Sequence, residues 1–136
     1  MEKLEHIGIA VKDINSANAL FSSLLGQNPY KIEEVESEGV RTSFFDLGGV
    51  KFELLEATRA DSPIAKFIEK RGEGVHHLAF EVADIEKSIS EYEQKGFVLI
   101  NTAPKPGADN KLIAFLHPKS TQGVLVELCQ EKTISS

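Results

Sequence analysis

The chain has 136 residues, 41% hydrophobic and 26% charged, enough for the core of one compact domain. Its formal charge of −6 excludes a general nucleic-acid surface, which needs a basic face. A single cysteine excludes an internal disulfide; the absence of an apolar run near about 18 residues and the polar start Met1-Glu-Lys-Leu-Glu argue against a membrane span and a signal peptide, so a cytoplasmic protein, or an organellar one after processing, is expected.

In chain order, Leu4–Val11 reads as a strand, and Asp13 as the N-cap of a helix running to about Leu25. Ile14, Ala17, Phe21 and Leu24 form its apolar stripe, and Gly26 ends it. Three strands follow, Tyr30–Val35, Val40–Leu47 and Val50–Leu55, broken by Glu38-Gly39 and Gly48-Gly49 as hairpin turns. This makes a β-α-β-β-β module, about 4–57.

Ser62-Pro63 starts a connector helix, about 62–71, with Ile64, Phe67 and Ile68 on one side and Gly72 as its stop. The second module, about 74–130, opens with the alternating strand Val75–Val82, in which His77, Ala79 and Glu81 share a face. Asp84 caps a helix with Ile85, Ile89 and Tyr92 on its buried side, and Gly96 closes it. Phe97–Asn101 is expected as a strand, Thr102–Asn110 as a loop, and Leu112–Leu116 and Val124–Leu128 as the last strands. The polar tail Lys132–Ser136 is expected to be loose.

The two modules say the same thing twice. His6-Ile-Gly-Ile-Ala-Val-Lys-Asp-Ile14 lies over His77-Leu-Ala-Phe-Glu-Val-Ala-Asp-Ile85, and Phe52-Glu53-Leu54-Leu55 over Val126-Glu127-Leu128-Cys129. Each half therefore repeats one histidine at a strand start and one glutamate inside an apolar strand. A glutamate in such a setting is costly to bury unpaired, and the cost is repeated. If the modules bury their sheets around a pseudo-two-fold axis, His6, Glu53, His77 and Glu127 converge as a two-histidine, two-carboxylate set. That set suits a divalent ion of borderline hardness: cobalt, nickel, zinc, manganese or iron(II). Cys129 is expected to miss the face of Glu127 unless the strand bulges. His76 precedes a ligand candidate and points the other way.

These motifs resemble the vicinal oxygen chelate (glyoxalase/bleomycin resistance/dioxygenase) superfamily and, within it, the methylmalonyl-CoA epimerase family. The resemblance is carried by His6-Ile-Gly-Ile-Ala-Val, Phe52-Glu-Leu-Leu-Glu, Ser62-Pro-Ile-Ala-Lys-Phe-Ile, Gly74-Val-His-His-Leu-Ala-Phe, Phe115-Leu-His-Pro-Lys and Gly123-Val-Leu-Val-Glu-Leu. It implies an α+β fold of two paired βαβββ modules forming a cupped mixed sheet around a metal site. It also implies a single domain spanning residues 1–136 and ligation by His6, His77 and Glu127, with Glu53 at a fourth position that is Gln in some members. Cobalt is the first choice of ion by resemblance, the substrate an acyl-CoA thioester, and the assembly a homodimer. The implied reaction interconverts (R)- and (S)-methylmalonyl-CoA by removing the C2 proton through a stabilised enolate.

Inverting a carbon centre most simply takes two bases on opposite faces, and Glu127 and Glu53, one from each half, are the candidates. Some epimerases carry a glutamate where this chain has Thr42, which cannot serve as a base. Lys119, with His117 beside it, is the candidate contact for coenzyme A phosphates; Lys105 and Lys111 read equally well as solvated lysines, and His117-Pro118 also reads as turn chemistry. Glyoxalase I shares the ligand set, and non-catalytic binding proteins share the fold, so both stand as alternatives.

Overall fold

A computed structural model describes residues 3–132. The tail Lys132–Ser136 falls outside them, apart from Lys132. The described residues form three α-helices and eight strands in an α+β arrangement, and none of the helices is long and apolar enough to cross a membrane. The chain divides into two compact units, His6–His76 and, with Met1–Glu5, His77–Ser136.

In the first unit, β1 (Lys3–Ala10) leads to α1 (Ile14–Leu25), β2 (Lys31–Val35), β3 (Val40–Leu47), β4 (Val50–Ala57) and α2 (Pro63–Arg71). The strands lie in the order β2-β3-β4-β1; β1 runs parallel to β4 and the other neighbours are antiparallel. Asp13 caps α1 as expected, its carboxylate accepting from the Asn15 and Ser16 amides, and Gly26 closes it in the left-handed region. Ala17, Phe21 and Leu25 pack against Val11, Phe45 and Leu54. Leu24, expected on that stripe, is 69% exposed, and Leu25 takes its place. At about 100° per residue, Leu25 returns to within about 20° of Ile14, whereas Leu24 sits about 80° away. Ser62 caps α2, which packs through Ile64 on Ala10, Val40 and Leu55. Gly48 and Gly49 both have positive φ, 64° and 98°, the geometry of a tight two-residue hairpin.

The second unit takes in β5 (Gly74–Glu81) from His77 onward, then α3 (Ile85–Gln94), β6 (Lys105–Gly107), β7 (Lys111–Leu116) and β8 (Val126–Glu131), with strands in the order β5-β8-β7-β6. Again the first and last strands pair parallel and the rest antiparallel. Ile85, Ile89 and the partly buried Tyr92 anchor α3 on Ala114, Leu116 and Leu128. One difference from the sequence reading concerns the edge. Phe97–Asn101 is not a strand; it makes the single bridge Leu99–Leu116, and the Asn101 side chain accepts from the Phe115 amide in place of a ladder bond. Pairing resumes at Lys105–Gly107, inside the segment expected as a loop. Pro106 is tolerated there because the strand is at an edge.

The duplication reaches the tethers between elements. The Glu56 carboxylate accepts from the Ile14 amide at 2.9 Å, and the Gln130 side chain accepts from the Ile85 amide at 2.8 Å. In both units the last strand therefore satisfies an otherwise orphaned amide at the start of the module's own helix.

Candidate metal centre

His6, Gly8 and Ala10 share one face of β1, and parallel pairing sets Gly8 against Glu53 on β4. Gly8 presents no side chain opposite the carboxylate. His6 Nδ1 lies 3.0 Å from Glu53 Oε2, with both side chains about nineteen-twentieths buried. The second unit repeats the device. Ala79 pairs with Glu127, and His77 Nε2 lies 3.3 Å from Glu127 Oε1, again with both buried. The Phe115 ring meets His77 edge-on at 5.9 Å and fixes the plane of its imidazole.

Donors about 2.1 Å from an ion and at right angles to one another are about 3.0 Å apart, and slightly more where the angle opens. The nitrogen–oxygen distance in each unit, 3.0 and 3.3 Å, fits two neighbouring ligand positions on one ion. The same distances suit a hydrogen bond when the ring nitrogen carries the proton. In either state the carboxylate is partnered, which removes the cost of burying it. The two pairs use different ring nitrogens, Nδ1 in His6 and Nε2 in His77.

The remaining sequence candidates have clear positions. Cys129 lies on the face of Glu127 with no bulge between them, contrary to expectation: positions two apart on a regular strand share a face, and β8 is regular from Val126 to Glu131. Its thiol donates to the Phe80 carbonyl oxygen at 3.6 Å. Lys105 and Lys111 are also on that face, Lys105 5.9 Å from the Phe115 ring centre and Lys111 buried. Lys119 and His117 are exposed on a short 3-10 turn, Pro118–Ser120, where His117 Nδ1 accepts from the Lys119 amide at 3.1 Å. His117 is thus a cap. His76 packs edge-on against Phe67 at 5.0 Å, and burial lowers its pKa to about 4.

Sequence reasoning did not single out the row beside the first pair. Register places Glu33 opposite Thr42 on the face of Glu53, and Thr42 is fully buried. Only strand register could have revealed it, because the two residues lie in separate strands joined by a turn.

The pattern of the Glyoxalase/Bleomycin resistance protein/Dioxygenase superfamily matches residues 5–115. The uncharacterized protein YqjC of Bacillus subtilis is 42% identical over 132 residues, covering 97% of this chain and 94% of its own length. The mitochondrial methylmalonyl-CoA epimerase of Homo sapiens is 38% identical over 129 residues, covering 94% of this chain and 73% of that protein. A solved methylmalonyl-CoA epimerase in complex with methylmalonyl-CoA and ammonium superposes with a TM-score of 0.93 at 34% identity, over 100% of this chain and 99% of that one. The chain belongs to the glyoxalase/bleomycin resistance protein/dioxygenase superfamily, with methylmalonyl-CoA epimerases among its homologues and structural neighbours.

Proposed function

We propose that the protein is a metal-dependent epimerase that inverts C2 of methylmalonyl-CoA, the whole chain acting as one functional domain. The observation that carries the proposal is the buried histidine–glutamate pair present once in each unit, with donor atoms at ligand-like separations. Similarity to methylmalonyl-CoA epimerases along nearly the whole chain supports the acyl-CoA substrate. His6, Glu53, His77 and Glu127 are the proposed ligands of one divalent ion, cobalt by resemblance. When bound, the ion supplies positive charge where negative charge develops as C2 loses its proton.

The chain's own residues then do the rest. The imidazoles of His6 and His77 are held by their carboxylates and by packing, so their nitrogens are oriented before any ligand arrives. Glu127 is the proposed base on one side of C2. It takes the C2 proton, the C–H electron pair passes into the enolate, and a carboxylate on the other side, with Glu53 the sequence candidate, returns a proton there. The apolar residues around the second pair, Ala79, Ile113 and Phe115, keep water from competing for the enolate.

The test is proton exchange at C2 in deuterated water, followed by NMR with each epimer of methylmalonyl-CoA. The expected result is exchange with inversion, abolished by chelation and by Glu127→Gln. The hemithioacetal of methylglyoxal and glutathione is run alongside. Turnover of that compound with no exchange on methylmalonyl-CoA would replace the epimerase reading by glyoxalase I.

A further inference from the structure

Inversion needs a proton-transfer group on each side of C2, and Glu53 is poorly placed to be the second. Its carboxylate is committed to His6 at 3.0 Å and, in the reading above, to the ion. A ligand that also acts as base gives up part of its hold on the ion; with Glu127 in that role, Glu53 would have to stay bound for the ion to keep three donors. The second group should therefore be another carboxylate, supplied by the unit that does not carry Glu127.

The register of the first unit identifies it. Gly8, Glu53, Phe44 and Lys31 form one cross-strand row, and Ala10, Leu55, Thr42 and Glu33 form the next on the same face. Two contacts confirm that face for β2: Lys31 Nζ lies 4.7 Å from the Phe44 ring centre and 3.4 Å from Glu33 Oε1. The Glu33 side chain is about a third exposed, so a ligand can reach it. Across the ladder the buried Thr42 hydroxyl has no hydrogen-bond partner among the described residues. Cross-strand neighbours stand about 5 Å apart at Cβ, within reach of a glutamate. The same face of this unit also carries Asp46, but its Oδ1 accepts from the Gly49 amide and holds the β3–β4 turn. At the equivalent ladder position of the second unit the chain has Lys105, opposite Ile113. Of the two repeats, only the first places a carboxylate at this point.

We infer that Glu33 is the second proton-transfer group of the epimerase reaction, an assignment that rests on the function proposed above. Its carboxylate turns from Lys31 toward the Thr42 hydroxyl, which donates to it, and so moves to the row beside Glu53. For one epimer Glu33 takes the C2 proton, the electron pair enters the enolate, and Glu127 protonates the other side. For the opposite epimer the two exchange roles. Glu53 stays with the ion, and Thr42 is a positioning residue acting through Glu33.

Glu33→Gln tests the assignment, with metal content, melting temperature and exchange measured on the same preparation. The variant keeps the wild-type metal content and melting temperature, and inversion falls at least 100-fold. In deuterated water the epimer presenting its proton to Glu127 still exchanges, with retention, while the other is inert. Glu53→Gln, by contrast, weakens ion binding. Thr42→Val lowers kcat without raising KM, and Thr42→Ser restores it. An active wild type whose Glu33→Gln variant inverts both epimers at the wild-type rate overturns the Glu33 assignment alone. A wild type that exchanges neither epimer, with the ion supplied, overturns the epimerase reading and this assignment with it.

Discussion

Glu127→Gln separates what the second histidine–glutamate pair does for the fold from what it does for an ion. Glu127 is 5% exposed, between Ala79 on β5 and Phe115 on β7, and faces His77 at 3.3 Å. Glutamine has nearly the same volume and can still accept from the ring, so no cavity opens and the metal-free fold should change by about 1 kcal/mol or less. Alanine would be the wrong probe, because removing one partner of a buried pair costs about 3–5 kcal/mol and mixes folding with binding. Ion binding adds a separate quantity: an ion at about 100 times its Kd stabilises the native state by about 2.7 kcal/mol. For a chain of this size that raises Tm by about 8 °C. The wild type should show this rise with excess divalent ion and lose it on chelation, while Glu127→Gln, lacking one negative donor, should show little of it. The assay is thermal unfolding followed by circular dichroism, with cobalt, nickel, zinc and manganese in turn. Equal rises in wild type and variant, or no rise in the wild type with any of the four, would refute the ligand role.

Three other predictions test separate features. His117→Ala should cost about 1 kcal/mol through loss of the cap to the Lys119 amide and leave kcat unchanged, while His117→Asn should keep the cap; urea unfolding and an activity assay read the two effects. His76 has a folded pKa of about 4 against 6.5 unfolded, so the unfolded chain binds its proton first as pH falls. Its contribution is fully present above about pH 6.5, declines through the interval and is lost below about 4, at most about 3 kcal/mol; urea midpoints of His76→Gln should fall less over that interval than those of the wild type. A Cβ at Gly107 would meet Cδ1 and Cγ2 of Ile113 at 2.8 Å. Gly107→Ala should therefore cost about 1–3 kcal/mol by denaturant unfolding, and Ile113→Val in the same chain should recover part of it.

What the sequence could show depended on whether the deciding physics was local. Asp13, Ser62 and Asp84 announce helix starts because a cap acts within three residues, and all three accept backbone amides there. The recurrence of one histidine and one glutamate in each half was legible because duplication turns a distant pairing into a repeated local pattern, and each unit brings its own histidine and glutamate together. The edge at Lys105–Gly107 was not legible. Two prolines and a glycine read as loop, and what makes the segment a strand is β7, whose amides and carbonyls are supplied from further along the chain. The placing of Glu33 opposite Thr42 was not legible for the same reason, since register fixes it.

The repeated pair depends on a residue that supplies no donor. In each unit the strand carrying the histidine places its smallest side chain against the glutamate, Gly8 opposite Glu53 and Ala79 opposite Glu127. Neighbours on paired strands stand about 5 Å apart, so a branched side chain at either position would fill the volume through which the carboxylate reaches the ring. The requirement differs between the copies. Ala79 is fully buried with Ile113 and Cys129, and Lys105 and the buried Lys111 share that face of the second unit. The first pair has Lys31, Phe44, Thr42 and Glu33 on its face instead. The two halves repeat one plan, but the proposed inversion takes a proton from one side and returns it on the other. The halves diverge accordingly: the metal-type donors are kept in both, and the residues one row away are not.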